Sequence, residues 1–356
     1  MSNKIIIVTV YNSENCGSFL QAYAMKTILE KIGFEVAFYK RNTYGTSHSF
    51  IFHLLSVIKK IVCLNFEEIN FVWKPWFSFK NATKIFKVCK KRSRFYQEAD
   101  TVLLGSDTIW CFDAPYFREK AYIYLGNVFA NKYIISYAAS VANTSPESFH
   151  EIVKNNGGLD NIARILVRDI HTKKLVQNEI NQTVEIVTDP TLLLNKDDYL
   201  KLMKSEKVGF KYLLLYYFGE PNEQLRSNIQ CYAQKNNLKI VSLLKHRKWC
   251  HYNIPADPCN AILYFNYADA VITNTFHGCA LSMIFEKAFA VHDEGKIKVS
   301  ALLSQYDQKK RLFVNSREIS DLLSQPCDIM NNGKFDLIRK QSLDLLYDAL
   351  ETDKRN

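Results

Sequence analysis

The chain has 356 residues, of which 47% are hydrophobic and 23% charged. This supplies a packed interior, excludes a disordered chain, and at roughly 100–200 residues per domain predicts two domains. With 12 glycines and 8 prolines, collagen-like and linker-rich architectures are excluded, and 46 Lys and Arg against 36 Asp and Glu give a net charge of +10, suited to a polyanion, an anionic substrate or an acidic membrane surface.

The first predicted element is a strand. Ile5 to Val10 is a β-branched run of the kind that is buried on both sheet faces. A polar turn ending in Gly17 follows. Phe19, Leu20, Tyr23, Ile28 and Ile32 then recur at helical spacing, with Gly33 placed as a C-cap. Phe34 to Tyr39 is a second strand, so the chain opens with a βαβ unit and a parallel sheet. A basic, aromatic insertion is expected at about residues 45–98. It holds the amphipathic run Phe50 to Ile61, then Trp73, Trp76, Phe77 and Phe79, then Lys80, Lys84, Lys87, Lys90, Lys91, Arg92 and Arg94. That pattern fits a membrane-surface or acceptor-binding segment, and equally a helical pair with a solvated basic face.

Further strands are predicted at 101–104, 133–139, 165–169 and 184–189, each apolar and ending in small or polar residues such as Asp169 and Asp189. A charged helix at 196–207 connects the halves. The second half repeats the scheme: strands at 212–218, 238–244 and 270–273, and helices at 225–234, 260–267 and 279–287. The expected fold class is therefore α/β. A first unit spans residues 1–195; a second, 196–356, carries His277 and a C-terminal helix. In open α/β sheets, ligands bind at the carboxyl ends of the strands.

Nine cysteines without a CxxC pair argue against a secreted disulfide scaffold, and a reducing cytoplasm is the expected compartment. The apolar run at 5–10 is shorter than a signal-peptide core. The stretch from Ser47 to Ile58 is far below the roughly 20 residues of a membrane span.

The strongest local site is Thr273-Asn274-Thr275-Phe276-His277-Gly278. His277 lies between a buried strand and an apolar helix. A helix N-terminus at Gly278 would offer unpaired N–H groups to an anion such as a phosphate, and an imidazole moves protons near neutral pH. The alternative is a histidine that only caps the helix. Asp107, beyond the 101–104 strand, suits a general base or, equally, a helix N-cap. Asn15-Cys16-Gly17-Ser18 lacks the G-x-G-x-x-G spacing of a dinucleotide loop. His246, Cys250, His251 and Cys259 fit no standard zinc spacing, so no metal is expected. Cys16 and Cys279 suit small buried thiols better than nucleophiles. No nucleic-acid motif is present.

Six segments in order resemble the polysaccharide pyruvyl transferase family: Asn15 to Ala24, Gly105 to Trp110, Ile135 to Ser140, Val167-Arg168-Asp169, Asp189 to Leu194, and Ala268 to Gly278. The resemblance implies two Rossmann-like domains facing across a cleft, similar to the two-domain glycosyltransferase B arrangement. It also implies transfer of pyruvate from phosphoenolpyruvate to a sugar hydroxyl pair as a ketal, in bacterial capsule or exopolysaccharide synthesis. No cofactor is needed beyond that co-substrate. The acceptor is expected to be a lipid-linked or nucleotide-linked sugar; the basic insertion, not the resemblance, suggests peripheral contact at the inner face of the plasma membrane, and nucleic acid is not an expected partner. His277 would be the acid and Asp107 the base. Gly278, Lys298, Arg168, Asn15 and Gly17 would hold the donor, and Trp110 and Asp189 the acceptor. Thr108, Cys111 and Asn274 depart from the family pattern, and Phe276 stands where many members carry arginine. Alternatives are a nucleotide-sugar-dependent glycosyltransferase of the same architecture, or a non-catalytic member acting in glycan assembly.

Overall fold

The computed structural model describes residues 3–40, 68–203, 207–327, 329 and 333–351. The amphipathic run from Phe50 to Ile61 lies outside the described residues. Two all-parallel sheets organise the chain. The first contains β1 (Lys4–Val8), β2 (Glu35–Tyr39), β3 (Val88–Cys89), β4 (Thr101–Leu104), β5 (Tyr133–Ala139), β6 (Arg164–Val167) and β7 (Val184–Ile186), in the order β3-β2-β1-β4-β5-β6-β7. The second contains β8 (Tyr212–Tyr216), β9 (Lys239–Ser242), β10 (Tyr252–Asn253), β11 (Ala270–Thr273), β12 (Ala288–His292) and β13 (Leu312–Phe313), in the order β10-β9-β8-β11-β12-β13. The central strands are buried along their whole length: Ile5, Ile6 and Ile7 in β1, and Leu213, Leu214 and Leu215 in β8. Strands covered on both faces need such uninterrupted apolar runs.

The helix Cys16–Lys31 joins the two halves. Eleven of its 16 residues are buried, because it is covered by its own sheet and by the second unit. A single apolar cluster passes from Ile5 and Ile7 through Met25 and Leu29 to Val271 and Phe289. A helix buried nearly all round carries apolar residues on more than one stripe.

Two features differ from the sequence expectations. The part of the expected insertion that is described, 68–98, contains the helix Asn70–Ala82, but it also contributes β3, which pairs with β2 at Phe38↔Val88 and Tyr39↔Cys89. Its end is therefore built into the first sheet. The C-terminal helix Lys334–Glu351 follows the second unit in sequence, yet it packs against β5 and β6. Tyr133 Oη donates to the Ala349 carbonyl, Arg164 pairs with Asp348, and Ser342 Oγ accepts from the Thr188 N–H. Leu346, Ala349 and Leu350 of this helix are buried, while Phe335 at its start packs against Tyr306 of the second unit.

Candidate functional site

In each sheet the strand order reverses once, between β1 and β4 in the first and between β8 and β11 in the second. Loops at such a point diverge to opposite faces and leave a crevice at the strand ends. Here the two crevices meet in one cavity of about 400 Å³. The first sheet supplies Asn15, Ser18 and Asp107, and the second supplies Tyr216, Asn274 and His277. Lys296 and Lys298, which follow β12, close one side.

Asn15 starts the helix Cys16–Lys31; its Oδ1 accepts from the N–H groups of Gly17 (2.8 Å) and Ser18 (3.4 Å). The hydroxyl of Ser18 donates to Asp107 Oδ2 at 2.7 Å, and the Thr108 N–H donates to Asp107 Oδ1 at 2.8 Å. Asp107 has φ of 72°, in the left-handed region that only Gly, Asn and Asp visit readily. Gly105 before it has φ of 117°, and a Cβ there would stand 2.2 Å from the Tyr137 carbonyl oxygen. Burial alone would raise the Asp107 carboxyl. The charge of Arg168, the Ser18 hydroxyl and His277 outweigh it, so the group stays below the ordinary carboxylate range. Gln21, fully buried, ties these loops together. Its amide donates to the carbonyls of Val10 (2.8 Å) and Ser18 (2.7 Å), and its oxygen accepts from Ser106 Oγ.

His277 occupies the first turn of the helix Phe276–Ile284, which begins three residues earlier than the sequence suggests because Thr275 caps it. Thr275 Oγ1 accepts from the Gly278 N–H at 2.9 Å. That N–H is therefore not the free anion donor expected from sequence. Gly278 is required for space instead: a Cβ there would lie 2.1 Å from Thr273 Oγ1. Gly17 is equally constrained, from the other domain. A Cβ at Gly17 would stand 2.1 Å from His277 Nδ1, so the imidazole lies against the first turn of the opposing helix. Nε2 of His277 is buried and has no hydrogen-bond partner. Burial holds the imidazole below its ordinary pKa, against the pull of Asp189 and Asp107.

Arg168 reaches the site from the end of β6. Its Nη1 donates to Asp189 Oδ2 at 3.3 Å, and its Nη2 is a second buried atom without a partner. The guanidinium lies 4.9 Å above the Phe276 ring. The aromatic at 276 thus seats a guanidinium delivered from the opposite domain. Asp189 is buried, held by Arg168 and by the Thr191 N–H at 2.9 Å. Arg168, Asp189, Phe276 and Lys298 also line an adjoining cavity of about 360 Å³ walled by Ile170, Ile186 and Leu302. Lys298 opens to solvent in the cleft, yet desolvation and the neighbouring Arg168 charge lower its ammonium pKa.

Trp110 is not brought to the cleft. It is fully buried in the first domain, where its Nε1–H donates to the Tyr124 carbonyl at 2.9 Å. Its ring packs near Phe149. Cys16 and Cys279 are buried, and burial pushes both thiols well up, away from a reactive thiolate. Among the described residues, no group of three or more metal-ligating side chains gathers.

Sequence reasoning missed Ser18 and Lys296. Lys296 Nζ donates to the Asn274 carbonyl (3.0 Å) and pairs with Glu294 (2.6 Å). The Asn274 side chain itself clamps Phe218 through both its N–H (2.9 Å) and its carbonyl (2.8 Å). The signal available for Ser18 was its place in a helix first turn at the end of the first strand. Lys296 carried none.

A family model for polysaccharide pyruvyl transferase matches residues 15–291. No curated protein matches the chain. Among solved structures, the UDP-GlcNAc 2-epimerase of Methanocaldococcus jannaschii is 10% identical, with a TM-score of 0.55, covering 98% of this chain and 100% of its own. The enzyme of Neisseria meningitidis, solved with UDP-GlcNAc bound, is 11% identical with a TM-score of 0.52, over 98% and 100%. A further UDP-N-acetylglucosamine 2-epimerase gives 9% and 0.57, over 100% and 97%. These likenesses establish an α/β fold of two parallel sheets in the two-domain, glycosyltransferase-B-like arrangement. The family match takes in Asn15, Asp107, Arg168, Asp189 and His277, and the chain belongs to the polysaccharide pyruvyl transferase family.

Proposed function

We propose that the cleft transfers the pyruvate unit of phosphoenolpyruvate to two hydroxyls of a sugar, closing a ketal and releasing phosphate. The observation that carries this is the buried, unpartnered Nε2 of His277, set beside the Arg168 and Lys298 cations and facing Asp107 from the opposite domain. Buried polar atoms without partners are rare in folded proteins, and one beside a cleft is suited to a bound ligand. Two fixed cations suit a donor bearing a carboxylate and a phosphate.

In the reaction, a proton adds to the methylene carbon of phosphoenolpyruvate and leaves C2 as an oxocarbenium-like centre. One sugar hydroxyl attacks C2 and gives up its proton. The C2–O bond to phosphate then breaks, and the second hydroxyl attacks and loses its own proton, which balances the phosphate released. His277 supplies the first proton. Its pKa is depressed in the free protein, and the anionic donor restores it by placing negative charge beside the ring. Asp107, ionised and held by Ser18, accepts from the hydroxyls. The acceptor is a lipid-linked or nucleotide-linked sugar of bacterial capsule or exopolysaccharide synthesis.

Thermal shift tests the donor. Phosphoenolpyruvate is expected to stabilise the full chain, an effect lost in His277→Ala. Stabilisation by UDP-sugars with none by phosphoenolpyruvate would overturn the proposal and favour a nucleotide-sugar transferase.

A further inference from the structure

The helix Asn70–Ala82 carries a cluster of large rings. Trp73 stacks on Phe77 at 5.8 Å, Trp76 meets Phe77 edge-on at 4.6 Å, and Lys80 Nζ lies 5.0 Å over the Trp76 ring. Phe77 is 52% exposed, and two further apolar side chains beyond the helix, Ile85 and Val88, are 42% and 45% exposed. Residues 80–94 hold seven Lys and Arg and no Asp or Glu. Two of the seven are paired, Lys87 with Glu35 and Arg94 with Glu98. Lys84, Lys90, Lys91 and Arg92 are exposed and have no ion-pair partner among the described residues. The surface therefore combines exposed apolar side chains with cations that no described residue neutralises.

Its position relates it to the cleft. The Phe71 ring lies 5.6 Å from that of His246 in the second unit, and Pro75 lines a small cavity with Asn15 and Phe218. The helix thus touches both domains, beside Asn15 and Phe218 of the cleft wall.

We infer that this surface docks onto an anionic lipid bilayer and sets the cleft entrance at the membrane. Cations near an anionic bilayer each raise partitioning by about five-fold, and aromatic side chains settle at the headgroup boundary. A soluble polyanion would satisfy the cations but would leave Phe77, Ile85 and Val88 exposed, so the bilayer is the better fit. The docking does not depend on the donor chemistry.

Co-sedimentation of the full chain with phosphatidylglycerol-containing vesicles and with pure phosphatidylcholine vesicles tests it. The wild type is expected to prefer the anionic vesicles at least about ten-fold, with the preference falling as salt rises. A Phe77→Ser/Ile85→Ser variant and a Lys84→Gln/Lys90→Gln/Lys91→Gln variant are each expected to lose about ten-fold or more, with thermal midpoints unchanged because every altered side chain is at least partly exposed. Equal binding to both vesicle types would refute the inference, as would binding untouched by either variant. So would tighter binding to heparin or single-stranded DNA that ignores the apolar substitutions. Any response to phosphoenolpyruvate should be the same in both variants and the wild type, so a failed donor assay and a failed docking assay are told apart.

Discussion

Gly17→Ala probes the contact on which the site depends. The new methyl carbon would begin 2.1 Å from His277 Nδ1, 2.4 Å from Cε1 and 2.6 Å from Cγ. Ordinary van der Waals contact starts at 3.4 Å, so the ring must retreat by about 1.3 Å or the domains must part by a similar distance. The residue is helical and alanine favours a helix by roughly 1 kcal/mol over glycine, which offsets part of an overpacking cost of about 1–3 kcal/mol. Global stability should therefore fall by no more than about 2 kcal/mol. A displacement of about 1 Å at a reacting group costs on the order of 10²-fold in rate. The assay is phosphate release from phosphoenolpyruvate in the presence of the acceptor glycan, with Gly209→Ala as control, since nothing lies within 4 Å of a Cβ at that position. Loss of about 10²-fold in kcat/KM, with a stability loss of at most about 2 kcal/mol and the protein still folded at the assay temperature, is expected. Wild-type kcat/KM in Gly17→Ala would refute the reasoning, for then the ring position does not matter.

Other consequences follow from the buried charges. Arg168→Ala leaves Asp189 buried without its counter-charge and is expected to cost about 3–5 kcal/mol in urea unfolding. Adding Asp189→Asn should recover much of that loss, and a single variant within about 1 kcal/mol of wild type would contradict the pairing. His277 is held below its ordinary value of 6.5 by burial. Between that value and its lower folded one, the unfolded chain binds more protons, so stability should rise with pH and fall on acidification through this window. His277→Asn should flatten the slope on the acid side of 6.5, and an unchanged slope counts against a neutral buried imidazole. Donor binding should also take up a proton, visible as a calorimetric heat that varies with buffer ionisation enthalpy. Trp110→Ala should cost about 3–5 kcal/mol as a core truncation while leaving the donor affinity of the folded protein intact; a selective loss of ligand binding would place Trp110 in the site after all.

The central strands were legible because each is a run of large apolar residues ending in a polar one. β4, β5 and β11 match their predicted spans, 101–104, 133–139 and 270–273. β12 escaped notice because Ala288-Phe289-Ala290-Val291-His292 has alanine at two of its five positions and only two large apolar residues, and β13 has only two residues. Of the site, His277 and Asp107 could be singled out from sequence because strand ends are where α/β sheets place chemistry, whereas Arg168 follows only from the family resemblance. That Gly17 abuts His277 and that Phe276 seats Arg168 could not, since each contact joins residues over a hundred positions apart across two domains. Trp110 misled for a related reason: an aromatic beside a strand end looks the same in sequence whether it faces a ligand or the core.

The return of the helix Lys334–Glu351 to β5 and β6 bears on how the protein is made. Domains usually complete their folding in the order in which they are synthesised. Here one face of the first sheet waits for residues encoded after the whole of the second, so Tyr133, Arg164 and Thr188 keep empty places until Ala349, Asp348 and Ser342 have left the ribosome. Neither half is a finished unit when cut from the other, and a nascent chain halted near residue 320 should expose that face to chaperones even though every strand of both sheets has already been synthesised.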